Sequence, residues 1–260
     1  MSITTSSTRK HRLEWLVQQL LNERGATMSL PDNEEQLAQV FRALRNIRPP
    51  MPVDSRLLQV QDEELQWQLH TRGTVTPHHH SMGVWQGDIT RLAVDAIVNA
   101  ANAQMLGCFV PLHGCIDNAI HSAAGMQLRQ ECHELIERQG HDEPTGTAKI
   151  TAGYNLPARH VIHTVGPIVT TDQPTPLQCQ QLASCYRSCL ALAERHQLHS
   201  IALCCISTGE FHFPNEQAAQ IAVNEVRRFM TDEAHHIQQV TFNVFKDVDR
   251  EIYQRLLAQA

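Results

Sequence analysis

Residues 94–102 read Val94-Asp95-Ala96-Ile97-Val98-Asn99-Ala100-Ala101-Asn102. A short apolar run of this kind is what a strand buried on both faces requires. It runs into two asparagines separated by small alanines. Asparagine amides both donate and accept, which suits sugar hydroxyls, and alanines let a ligand approach the backbone. An Asn-rich turn after a strand accounts for the same residues. Apolar runs at 93–98, 148–151, 160–165, 200–206 and 240–244 read as buried strands. Longer periodic stretches at 116–138, 176–196, 216–230 and 248–258 read as helices. Strands alternating with helices predict a layered α/β sheet with helices on both faces. Ligands of such sheets bind at the carboxyl ends of the strands.

Upstream the pattern changes. Residues 11–24 carry Leu13, Leu16, Val17, Leu20 and Leu21 at helical spacing, with Gly25 to cap the end. Asp32 with Glu35 resembles a capping box for a second helix, whose stripe is Leu37, Val40, Phe41, Leu44 and Ile47. Pro49 and Pro50 stop it. A third helix is expected over about 54–70. Residues 1–76 therefore read as a helical extension with nine acidic and nine basic residues. Residues 77–260 carry the whole net charge of −6, with 12 basic and 18 acidic residues. His78, His79 and His80 at the junction read as a solvated linker.

Composition narrows the function. The chain has 260 residues, 42% of them apolar, enough to build a core. No run approaches the roughly 18 apolar residues of a membrane span. The first residues, MSITTSSTRKHR, lack the apolar stretch of a secretory signal, so a cytoplasmic location is expected. Only Lys10, Lys149 and Lys246 are lysines, and there is no basic run, which argues against a nucleic-acid polymer as partner. The same balance leaves open a small anion held by backbone N–H groups. All eight cysteines lie at or after Cys108 and read as free thiols or metal ligands.

Four segments carry chemistry. Gly87 and Asp88, in Gln86-Gly87-Asp88-Ile89-Thr90, place a carboxylate at a strand end, either for an exocyclic amine such as adenine's or for an Asx turn. Asn99 and Asn102 end the strand already quoted. Cys108, His113 and Cys115 are spaced C-x4-H-x-C, a thiolate–imidazole set suited to zinc with one position left open. Three unrelated residues would read the same way. His121 is the nearest further candidate ligand, but it falls in the following helix. Asp117 lies in that helix's first turn, where a carboxylate gains from the helix dipole. Ser207, Thr208 and Gly209 follow a strand and can offer consecutive N–H groups to a phosphate. Phe211 and Phe213 alternate beyond them, so one can face a sugar while the other packs. Cys179, Cys185, Cys189, Cys204 and Cys205 read as packing.

Together, GDIT at 87–90, VDAIVNAAN at 94–102, IDNAIH at 116–121, HTVGP at 163–167 and STGEFHFP at 207–214 resemble the macrodomain family. The resemblance covers roughly residues 82–260. It implies a three-layer α/β/α sandwich with a mixed sheet that binds ADP-ribose. By the same resemblance Asp88 binds the adenine amine with the Ile89 backbone beside it, and Asn102 orients the distal ribose. Ser207, Thr208 and Gly209 contact the diphosphate, with Phe211 near the distal ribose. Residues 107–115 depart from the glycine-rich stretch of many macrodomains. They resemble the zinc-containing branch, whose members remove ADP-ribose from proteins. That branch also has an N-terminal helical extension and a loop like Glu210-Phe211-His212-Phe213. The likeness implies one zinc ion per chain on Cys108, His113 and Cys115, with Asn102 and Asp117 catalytic and Glu210 in the ligand loop. It implies as partners ADP-ribose or a mono-ADP-ribosylated protein, and for some members a lipoylated carrier protein and a sirtuin-type ADP-ribosyltransferase. Two other functions fit the same pocket: a reader that binds ADP-ribose without cleaving it, and a hydrolase of a small ADP-ribose ester such as the O-acetyl form.

Overall fold

The computed structural model describes residues 5–171 and 173–259. Three helices come first: α1 (Thr5–Glu23), α2 (Glu34–Ile47) and α3 (Ser55–Arg72). Leu13, Leu16, Val17, Leu20 and Leu21 of α1 pack on Leu37 and Phe41 of α2 and on Leu57 and Val60 of α3, forming their own apolar cluster. The cap of α2 is Asn33 rather than Asp32. The Asn33 side chain accepts from the N–H groups of Glu35 and Gln36, while Asp32 is fully exposed. Asp54 caps α3 in the same way, accepting from Arg56 and Leu57. Glu64 of α3 is fully buried and takes the guanidinium groups of Arg9 and Arg12, each at 2.8 Å.

Six strands follow: β1 (Met82–Gln86), β2 (Ala96–Ala101), β3 (Ala148–Ala152), β4 (His160–Val165), β5 (Ser200–Leu203) and β6 (Gln239–Val244). They form one sheet in the order β1-β6-β5-β2-β4-β3. Neighbours are parallel except β3, which runs antiparallel to β4. Helices α4 (Ile116–Ala124) and α5 (Met126–Gln139) lie on one face; α6 (Pro176–Arg195), α7 (Asn215–Asp232) and α8 (Asp247–Ala258) lie on the other. The two-residue period of β4 displays both layers. His163 turns toward His121 and Cys132 of α4 and α5, and the adjacent Thr164 turns toward Cys185 and Cys189 of α6. This is the expected sandwich with a mixed sheet and helices on both faces. No helix among the described residues is long and apolar enough to cross a membrane.

Several boundaries differ from the sequence reading. The single helix expected over 116–138 is two helices, broken at Gly125 with φ +108°. Side chains from elsewhere satisfy the break: Met126 N–H donates to Gln61 Oε1 at 2.9 Å, and Asn155 Nδ2 donates to Ala124 O at 3.0 Å. Strand β1 was implied by the strand end at Asp88 but given no bounds, because MGVWQ is half-buried throughout and shows no alternation. His79 is not a solvated linker residue. It packs over Gly83, with Nε2 2.9 Å from Thr241 Oγ1. The run at 93–98 enters the sheet only at Ala96, because Ala93 N–H donates to Val75 O at 2.8 Å and Asp95 is spent on caps. Its carboxylate accepts from the N–H groups of His199 and Ser200 at 2.6 and 3.1 Å. The run at 200–206 leaves the sheet after Leu203, where Ile206 N–H folds back to Cys204 O.

A Cβ on Gly125 would stand 2.6 Å from Gln127 Oε1, 2.8 Å from Gln61 Nε2 and 3.2 Å from Asn155 Nδ2. Gly125→Ala is therefore expected to lower unfolding stability by about 1–3 kcal/mol through backbone strain. A urea midpoint unchanged from the parent would refute this.

Candidate active site at the carboxyl edge of the sheet

The parallel strands β1, β6, β5, β2 and β4 all deliver their carboxyl ends to one edge. At the β1 end, Gly87 N–H donates to Val244 O at 2.9 Å, joining the exits of β1 and β6. Asp88 follows and serves two purposes. Its Oδ1 accepts from Thr90 N–H at 3.0 Å and from Thr90 Oγ1 at 2.7 Å, closing the turn Ile89–Arg91. Its Oδ2 faces outward and accepts from Arg72 Nη1 at 2.9 Å. Ile89 is buried beneath.

At the β2 end, the two asparagines separate. Asn99 is fully buried and does not reach the cleft. Its Nδ2 donates to Asp117 Oδ1 at 2.8 Å and lies 3.1 Å from His163 Nδ1. His163 Nδ1 is then the acceptor, so its protonated Nε2 donates to Thr151 Oγ1 at 3.0 Å. Asn102 stands one residue past the strand. Its Nδ2 donates to Gly107 O at 3.1 Å and lies 3.5 Å from Asp117 Oδ2, and its buried Oδ1 has no partner among the described residues. Asp117 is thus fixed on one oxygen by Asn99 and turned toward Asn102 with the other. Burial raises its pKa to about 6, against the opposing pull of the Asn99 hydrogen bond.

The loop from Gly107 to Cys115 brings its three candidate ligands together. The ligand atoms of Cys108, His113 and Cys115 all lie within 4.8 Å of one another, and Cys108 Sγ is 3.6 Å from His113 Nδ1. Two sulfurs and one imidazole nitrogen form a zinc-type donor set with room for a fourth ligand. The other ring nitrogen of His113, Nε2, is 3.7 Å from Glu210 Oε1, so the second loop reaches across to the first. His121 does not join the set. It belongs to a separate buried group with Cys132 and His163, its Nε2 3.5 Å from Asp117 Oδ1.

After β5, Ser207 adopts a left-handed φ of +65°. Among the described residues, the N–H groups of Ser207, Gly209, Glu210 and Phe211 have no acceptor, while Thr208 N–H returns to Cys205 O at a long 3.4 Å. Phe213 is the packed aromatic, at 1% exposure, and Phe211 is the half-exposed one. The edge therefore presents unpaired N–H donors for an anion, an amide and a carboxylate side by side, and a soft-metal donor set. Sequence reasoning missed Arg72, Arg42 and Asn46. The signal available was polar side chains interrupting the buried face of α2, where Arg45 and Asn46 are both buried.

The buried histidines make stability depend on pH. Burial lowers the His163 pKa to about 3, and burial with the nearby His163 lowers that of His121 well below normal. Unfolded, both protonate near 6.5. Their stabilisation is therefore present above that value and is lost as pH falls. Asp117 has the opposite sign, taking a proton in the fold near pH 6 and in the unfolded chain only near 3.8. Between pH 6 and 4 both histidines hold a proton in the unfolded chain and resist one in the fold, while Asp117 alone holds an extra proton in the fold. Stability should therefore fall as pH falls through this window. His163→Gln should flatten that slope in denaturant titrations at pH 6, 5 and 4, and equal slopes would contradict the assignment.

Comparison with known proteins agrees with this geometry. The Macro domain family model matches residues 98–222. A Staphylococcus aureus protein named protein-ADP-ribose hydrolase is 44% identical, over 97% of this chain and 97% of its own. An Oceanobacillus iheyensis macrodomain variant solved with ADPR is 39% identical, with a TM-score of 0.62 over 68% of this chain and 92% of its own. A Trypanosoma brucei macrodomain in complex with ADP-ribose is 29% identical, with a TM-score of 0.64 over 83% of this chain and 94% of its own. With the sheet order, the exits of its parallel strands and near-full-length likeness in agreement, the chain belongs to the macrodomain family.

Proposed function

We propose that this chain is a hydrolase that removes mono-ADP-ribose from modified protein side chains, using one zinc ion per chain. The observation that carries the reading is the meeting of Asp117 and Asn102 at the same strand exits as the Cys108, His113 and Cys115 donor set. The near-full-length relative named protein-ADP-ribose hydrolase supports it.

Asp88 Oδ2 takes the adenine amine, with the Ile89 backbone beside it. The free N–H groups of Ser207, Gly209, Glu210 and Phe211, with Thr208 between them, cradle the diphosphate. Asn102 orients the distal ribose, and Phe211 lies against it. Asp117 is an acid with its second oxygen available, mostly ionised at neutral pH because its pKa is about 6. It accepts a proton from the attacking water as that water adds to the anomeric carbon. The bond from that carbon to the modified side chain breaks, and the departing heteroatom takes the proton that Asp117 received from the water. The transition state is oxocarbenium-like, so a nearby carboxylate also stabilises its charge. Zinc held by Cys108, His113 and Cys115 would supply a Lewis acid beside the distal ribose. Glu210 reaches the His113 ring and would orient that ligand. A lipoylated carrier protein and a sirtuin-type transferase remain proposed partners, as does a cytoplasmic setting.

The purified protein should carry about one zinc per chain and release ADP-ribose from a mono-ADP-ribosylated protein. Cys108→Ala and His113→Ala should lose the metal and at least about 100-fold in turnover, equal to about 2.7 kcal/mol in barrier. Full turnover in a metal-free variant would remove zinc from the mechanism. Tight ADP-ribose binding with no change in the mass of the modified protein would favour the reader. Turnover of O-acetyl-ADP-ribose alone would favour the ester hydrolase. Separately, Asp88→Ala should raise KM about 10-fold with kcat nearly unchanged, as loss of one hydrogen bond to a charged group predicts.

A further inference from the structure

We infer that the N-terminal helices are the clamp that holds the metal loop in its binding geometry, with Asn46 and Arg42 of α2 as the positioning residues. The inference rests on the zinc reading and deepens it.

The loop cannot hold this shape alone. Between Cys108 and Cys115 its one internal backbone bond among the described residues is His113 N–H to Val110 O at 3.2 Å. Leu112, next to the ligand His113, has a left-handed φ of +57°, which a branched apolar residue adopts only when its surroundings impose it. The constraint comes from α2. Leu112 N–H donates to Asn46 Oδ1 at 3.0 Å, and Asn46 Nδ2 donates to Ser122 Oγ at 3.0 Å. Asn46 is 2% exposed, so neither bond competes with water.

Arg42 secures the next residue. Its Nη2 lies 3.4 Å from His113 O and donates to Asn118 Oδ1 at 2.7 Å. Asn118 in turn donates from Nδ2 to Val110 O at 3.0 Å and from its backbone N–H to Cys115 Sγ at 3.4 Å. The start of the loop is held from the same helix through Arg129. That guanidinium donates to Leu106 O at 2.6 Å, covers the Phe109 ring at 4.3 Å, and donates to the carbonyls of Arg45, Asn46 and Arg48. Contacts anchored on α2 thus reach Leu106, Phe109, Val110, Leu112, His113 and Cys115. Hydrogen bonds that orient ligands from outside typically govern metal affinity by about 10–100-fold.

The test uses the full chain and zinc alone. Zinc affinity is measured against a chromophoric chelator for the parent, Asn46→Ala, Asn46→Asp and Arg42→Gln. Thiolate-to-metal absorption is recorded after loading each protein with cobalt(II), and the melting temperature of each metal-free protein serves as the fold control. Asn46→Ala should bind zinc about 10–100-fold more weakly and alter the cobalt spectrum. Asn46→Asp keeps the acceptor for Leu112 N–H and should recover most of the affinity. Arg42→Gln, on a half-buried position, provides the readout if Asn46→Ala does not fold. Parent-like affinity in Asn46→Ala, or in Arg42→Gln where it alone folds, would overturn the clamp and leave the zinc reading standing. A parent that binds no zinc would overturn both.

Discussion

One guanidinium joins the parts of this molecule. The last carbonyls of a helix have no partner within it, and they carry the negative end of its dipole. At the end of α2 those of Arg45 and Asn46, with that of Arg48 just beyond the helix, converge on Nη1 of Arg129, at 2.6–2.9 Å. The same side chain belongs to α5, holds Leu106 O and covers Phe109. Burial lowers its pKa to about 10, which still leaves it charged at neutral pH. A buried cation is tolerated only when its donors are used, and here helix ends and a loop use them. This bond set ties α2 to α5, beside the Asn46–Ser122 bond to α4 and the Gln61–Met126 bond from α3.

Below the cleft, the chemistry depends on strand parity. Asn99 and Asn102 leave the same strand three residues apart. One side chain points into the layer beneath α4 and the other stands past the strand end. The inner amide is fully buried, bonded to Asp117 and His163. It leaves one carboxylate oxygen for the cleft and assigns the proton on the histidine.

Most of the layered architecture was legible because buried parallel strands write short apolar runs, and residues 96–98 and 201–203 are clear cases. The motif residues were legible because they follow those strands. Three kinds of feature were not. β1 lacks alternation, since an edge strand covered unevenly needs none. The break at Gly125 is hidden because the apolar spacing continues across it, and the side chains that satisfy it come from Gln61 and Asn155, far away in sequence. The links from α2 to the loop are long-range and polar. Polar residues on the buried face of α2 were a signal, but the local pattern does not say that Arg42 and Asn46 reach the loop. The convergence of Cys108, His113 and Cys115 was legible as spacing, and their common facing required the turn at Leu112.

The ion pair between Arg72 and Asp88 has a further consequence. Arg72 ends α3, while Asp88 lies in the turn that leaves β1. Near that pair, Arg42 and Asn46 reach the cysteine loop, and Arg42 is close enough to feel the charges of Asp88 and Arg72. The adenine-side carboxylate and the cysteine loop are therefore both furnished with partners encoded ahead of every strand. A descendant that shed those early residues, or exchanged them for another leader, would inherit the strands of the sheet with an altered cleft. The heritable unit of this pocket is longer than the sheet that houses it.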